Sequence, residues 1–245
     1  MKFIYSIFLF VVSAGWAVAG PVPYSVNGMP YEGYFVSAGK NAPLVMLIHD
    51  WDGLTDYEVR RSHMLADKGF SVFAVDLFGK GLRPTEVADK RRLTGALYKD
   101  RQKMRALMNG ALDAAGRQGS DVTRSVAAGY CFGGAAVLEW ARSGVNLKGF
   151  VTFHGGLSIP DGQNYSKARG QYLILHGTAD QVVPMTDFAA LALAFEDAGL
   201  SHEMISYSGA RHAFTVFNTD HYNKDADQKS WARFLSFLND VIPAS

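Results

Sequence analysis

Short, nearly continuous apolar runs recur along this chain, separated by longer amphipathic stretches. The runs lie at 44–48, 71–75, 125–128, 150–153, 172–175 and 203–207. An unbroken apolar run this short suits a strand covered on both faces. Between the runs, 56–68, 98–117, 134–142, 185–198 and 226–241 read as helices. Such alternation predicts an α/β fold: a mostly parallel central sheet with helices on both faces. Segments 24–26 and 32–36 read as an antiparallel edge pair at the start.

The first residues carry a different signal. Lys2 gives a positive start, 3–14 is apolar, and Ala17-Val18-Ala19 has the small-x-small form of a cleavage site. The apolar stretch is short for a membrane span and has no stop-transfer flank. A secretory signal peptide over 1–19 is the expectation, with an uncleaved anchor as the alternative. The remainder, 20–245, is then a single domain, periplasmic or secreted, with no stable membrane insertion after cleavage. Its one cysteine cannot form an internal disulfide, so the fold must rest on packing. A net charge of +1 without any basic block argues against nucleic acid as a partner. A monomer without a cofactor is expected.

That one cysteine sits in Gly129-Tyr130-Cys131-Phe132-Gly133-Gly134, between an apolar run and a helix-like stretch. A side chain lifted above a sheet on a sharp strand-to-helix turn needs a strained backbone and tiny neighbours two positions away. Gly129 and Gly133 are those neighbours. The following helix would aim free N–H groups at the thiol. Two bland alternatives exist: a phosphate-binding turn and a small buried cysteine. The first lacks both the G-x-G-x-x-G pattern and a Gly-Lys-Ser/Thr ending.

In a parallel sheet, chemistry collects at the carboxyl edge of the strands. Asp50, Lys80, Cys131, Asp180 and His212 all follow apolar runs and should meet on that edge. The order nucleophile, acid, histidine is that of α/β-hydrolases. Cys131 would attack a carbonyl carbon, His212 would move the proton, and Asp180 would orient the imidazole. The backbone N–H groups of Phe132 and Trp51 are the candidate oxyanion donors.

The chain resembles the dienelactone hydrolase family of α/β-hydrolases. The resemblance rests on His49-Asp50-Trp51-Asp52-Gly53-Leu54, Asp76-Leu77-Phe78, the cysteine turn, His176-Gly177 with Asp180, and His212-Ala213-Phe214. Tyr222-Asn223, Ala226-Asp227 and Ser230-Trp231 add to it near the C-terminus. It implies a Cys131–Asp180–His212 triad and a carboxylate that keeps the resting thiol protonated. Asp50 matches that carboxylate, one methylene shorter than the family's glutamate; a helix-capping aspartate is its other reading. The resemblance also implies two arginines that hold a substrate carboxylate. Lys80 matches one, with a solvated loop lysine as its bland reading, and Val216 stands at the other. With that clamp weakened, neutral short-chain esters or lactones are expected to outperform dienelactone.

His49, His154 and His176 lie near the same edge, but structural roles are preferred for them and no metal is expected. The ring of Trp51 is expected to line the pocket. Trp140 and Trp231 suit helix–sheet packing, and Phe78, Phe153 and Phe214 are read as core. The connection from Lys80 to Leu97 is the only candidate lid, so the cleft should be open. The leading expectation is an enzyme that cleaves a small carboxylic ester or lactone through an acyl-thioester. The competing classes are a hydrolase of another bond (peptide, thioester or carbon–carbon) and a non-catalytic binder on the same scaffold.

Overall fold

A computed structural model describes residues 19–244. In chain order the elements are β1 (Ala19–Val26), β2 (Met29–Val36), β3 (Pro43–Ile48), α1 (Asp56–Ala66), β4 (Ser71–Val75), α2 (Val87–Lys99) and α3 (Arg101–Arg117). There follow β5 (Asp121–Tyr130), α4 (Phe132–Arg142), β6 (Gly149–Phe153), β7 (Gln171–Gly177), α5 (Met185–Asp197), β8 (His202–Tyr207) and α6 (Lys224–Val241). The predicted signal peptide lies outside the described residues except for Ala19, which opens β1. No described helix is long and apolar enough to cross a membrane.

The eight strands form one sheet in the order β1-β2-β4-β3-β5-β6-β7-β8. β1, β2 and β4 pair antiparallel, and β4 through β8 run parallel. Alternate strand residues feed two cores. Leu44, Met46 and Ile48 pack on the side of α3, α4 and α5, whereas Val45 and Leu47 pack on the side of α1 and α6. Both faces of β3 are therefore buried, which is why the run 44–48 is apolar throughout. β3 has β4 on one side and β5 on the other, so the order of strand addition reverses there while the strands stay parallel. A crevice opens outside the carboxyl ends of strands at such a point.

The predicted strands appear, several with longer ends. The predicted helix 98–117 is corrected: it is two helices that meet at Asp100. Asp100 has φ −115° and ψ 78°, and its carboxylate accepts the Lys103 N–H at 2.9 Å, which caps α3. Much of the candidate lid is α2, which buries only Thr94 and Leu97. So few apolar contacts leave little periodicity to read.

Candidate active site

β5 delivers Cys131 into the turn, and α4 leaves from it. Cys131 has φ 51° and ψ −114°, which an L-residue holds only where its surroundings over-determine it. Those surroundings are main chain. The Cys131 N–H donates to Phe153 O at 3.1 Å, and Cys131 O accepts from Gly134 N at 3.1 Å. A Cβ on Gly129 would press into the Gly133 backbone, and one on Gly133 into the backbone of Ile48 and His49. Glycine there lets α4 start tight against β3 and β5.

Two loops bring the partners. The Ala179 N–H donates to Ala210 O at 3.0 Å and stitches the loop after β7 to the loop after β8. Asp180 Oδ1 accepts from Val182 N at 2.8 Å and Val183 N at 2.9 Å. Its Oδ2 lies 2.8 Å from His212 Nδ1, and His212 Nε2 lies 3.0 Å from Cys131 Sγ. An ionised carboxylate only accepts, so Nδ1 carries a proton and Nε2 faces the sulfur. Burial lowers the His212 pKa, but its hydrogen bonds to Asp180 and Cys131 and their charges raise it to about 10. Burial raises Asp180, yet the His212 hydrogen bond outweighs it and holds the carboxyl below the usual range. The geometry can shuttle one proton between sulfur and imidazole while the carboxylate stays charged.

Phe132 opens α4, and Trp51 lies in the turn after β3. Neither N–H is committed to another acceptor among the described residues. Cys131, Phe132, His212 and the Trp51 ring line a cavity of about 440 Å³, within the usual range for small-molecule sites. The Trp51 ring is half-buried, with Lys90 Nζ 5.2 Å from its centroid.

The other two candidates do not line the cavity. Asp50 Oδ1 accepts the Asp52 N–H at 2.8 Å, and no hydrogen bond joins Asp50 to the thiol. Thr55, not Asp50, caps α1, in a reciprocal capping box with Glu58. Burial and the charge of Asp52 raise the Asp50 pKa to about 6, and the Asp52 N–H hydrogen bond, then Lys90 and His212, partly oppose this. Lys80 is not brought to the cavity. It is exposed and pairs with Glu32 Oε2 at 2.9 Å. The far wall is built instead from Thr94, Tyr98 and Arg101, residues that the sequence did not single out. Thr94 and Tyr98 lie on α2 and Arg101 opens α3, so no single helical periodicity joined them in the sequence.

The remaining histidines are held in separate hydrogen bonds. His49 Nε2 accepts from Leu77 N at 3.2 Å, so Nδ1 carries its proton and donates to Asp50 O. His176 Nε2 donates to Val183 O at 3.0 Å. His154, with φ 41°, packs edge-to-face on His212 with ring centroids 5.4 Å apart. Its Nε2 meets Thr215 Oγ1 at 2.8 Å, and Thr215 also meets Tyr57 and Arg61. Burial, and then the charge of His212, hold His154 far below the usual histidine range, so it is neutral. No cluster of three or more His, Cys, Asp or Glu side chains that could hold a metal occurs among the described residues.

The family model of the dienelactone hydrolases matches residues 31–242. The chain belongs to the dienelactone hydrolase family. It is a hydrolase of the esterase type with the α/β-hydrolase fold. It is 24% identical over 228 residues to an Escherichia coli (strain K12) protein named "Putative carboxymethylenebutenolidase", covering 89% of this chain and 84% of that one. Among solved structures, a dienelactone hydrolase-like promiscuous phosphotriesterase from metagenomic libraries superposes with a TM-score of 0.86 at 28% identity. That match covers 93% of this chain and 99% of the other. Pyrococcus horikoshii acylaminoacyl peptidase shares the fold at 13% identity, with a TM-score of 0.74 over 95% of this chain and 43% of its own.

Proposed function

We propose that this hydrolase cleaves a small carboxylic ester or lactone with Cys131 as nucleophile. The observation that carries the proposal is the unbroken chain of contacts from Cys131 Sγ through the His212 ring to Asp180, at the head of α4. His212, its pKa raised to about 10, holds the thiol proton on Nε2 as Sγ attacks the carbonyl carbon. The carbonyl π electrons move onto oxygen, where the N–H groups of Phe132 and Trp51 stabilise the charge. Collapse breaks the bond to the leaving oxygen, which receives the proton from His212, and leaves an acyl-thioester on Cys131. Water, deprotonated by His212, then attacks the thioester. Expulsion of the Cys131 thiolate releases the acid and restores the resting pair. Asp180 stays ionised throughout and fixes the tautomer. Asp50, partly buried two residues beyond the end of β3, is the group proposed to modulate this pair.

Short-chain 4-nitrophenyl esters, assayed before and after thiol alkylation, test the proposal. The expected result is turnover that alkylation abolishes. Turnover that survives full alkylation of Cys131 would overturn it. Export after removal of 1–19 is part of the same proposal. N-terminal sequencing of native protein from a periplasmic fraction is expected to begin at Gly20, and an intact Met1 would refute it.

A further inference from the structure

We infer that Arg101 forms an anion subsite in the cavity, so that the substrate carries a carboxylate that reaches the α3 wall. This deepens the proposed esterase reading and rests on it. The site differs from both positions the family resemblance supplies, Lys80 and Val216, and it reverses the expectation of a preference for neutral substrates.

The argument starts from Glu139, buried within α4. Its Oε2 accepts from Arg101 Nη1 at 3.0 Å and Arg142 Nη2 at 2.9 Å, and its Oε1 accepts from Arg105 Nε at 2.7 Å. Burial raises the Glu139 pKa, but Arg142 and Arg105 outweigh it and hold the carboxyl below the usual range, so it is ionised. Three guanidinium groups around one carboxylate leave a surplus of two positive charges. Arg142 alone balances the charge of Glu139, so the positive charge of Arg101, at the cavity edge of the cluster, is available to an anion.

The three arginines are not equivalent. Arg142 also borders the cavity, but it is buried and spends Nε on Gln163, Nη1 on Tyr165 and Nη2 on Glu139. Arg105 turns both Nε and Nη2 to Glu139 Oε1, and Nη2 also reaches Gln163 Oε1 at 3.4 Å. Arg101 commits Nη1 alone; its Nε and Nη2 meet no acceptor among the described residues, and it lines the cavity. Nε–H and the adjacent Nη2–H form the planar fork that takes a carboxylate by two parallel hydrogen bonds. The Tyr98 ring lies 5.5 Å from the guanidinium carbon, and Glu139 holds the opposite edge, so the fork is pre-set.

The test compares mono-4-nitrophenyl adipate with its methyl-capped diester in the wild type, Arg101→Ala, Arg101→Lys and Lys80→Ala. The readout is the ratio of kcat/KM for the charged over the capped ester. The ratio should fall about tenfold or more in Arg101→Ala, equivalent to ~1.4 kcal/mol. It should fall partway in Arg101→Lys and hold in Lys80→Ala. An unchanged ratio in Arg101→Ala, or equal losses on both esters, would overturn the inference. Calorimetric titration of adipate into Cys131→Ala separates this failure from failure of the esterase reading, because it needs no turnover. Binding by Cys131→Ala that is lost in Cys131→Ala/Arg101→Ala supports the subsite; absent or equal binding refutes it.

Discussion

The strand-end edge and the helical wall of the cavity are built by different means. Cys131, Asp180 and His212 sit in loops pinned by main-chain hydrogen bonds, each a few residues beyond a parallel strand. Arg101 and Tyr98 stand on α3 and at the end of α2, and Arg101 is held by a side-chain ion pair to Glu139. The sheet therefore positions the reacting atoms, while a buried charge cluster positions the specificity wall. Chemistry and recognition should then fail separately.

The largest break is expected on the edge. Cys131→Ala should lower kcat by at least ~10³-fold with little change in melting temperature, because the oxyanion donors alone retain only a residual rate. His212→Ala should lose about as much. The double variant should lose hardly more than either, since the two residues act as one unit. Losses that simply multiply would show that sulfur and imidazole do not cooperate.

The wall should break in the opposite sense. Glu139→Ala leaves Arg142 buried without its carboxylate, a change that typically costs about 3–5 kcal/mol. At ~2–4 °C per kcal/mol, melting should fall by roughly 6–20 °C. Calorimetry of this variant beside Cys131→Ala sharpens the comparison: one loses stability, the other turnover. Similar melting temperatures for the two would erase the distinction.

The smallest effect probes the first turn of α1, behind the edge. Glu58 is buried; burial and the charge of Asp50 raise its pKa from 4.5 to about 8. The fold thus favours the protonated acid. Its contribution is fully present below pH 4.5 and is lost as the pH rises through about 8. Glu58→Gln keeps an acceptor for the Thr55 N–H while removing the charge. The variant should melt about 2–4 °C above the wild type at pH 9, for a gain of ~1 kcal/mol, and close to it at pH 4. A larger gain at pH 4 than at pH 9 would contradict this sign.

What was legible in the sequence divides along the same line. The strands could be read because burial on both faces makes their runs apolar. Cys131 could be read because its turn demands Gly129 and Gly133, and Asp180 and His212 because they follow strands in order. Each of these is a local constraint, imposed by backbone geometry within a few residues. The break at Asp100 was hidden, since an N-cap looks like any polar residue inside an amphipathic stretch. α2 was hidden because it buries so little.

The sequence by itself determined the α/β architecture, the turn that raises Cys131, and the identity and order of its partners. Only the tertiary structure decided the rest: that Lys80 turns to Glu32, that Thr55 rather than Asp50 caps α1, and that Arg101 faces the cavity with half its guanidinium unspent. The physical reason is the range of the forces involved. A turn or a strand is set by neighbours in the chain. A buried carboxylate such as Glu139 gathers cations from 34 and 38 residues away, and that pairing exists only after α3 and α4 have packed.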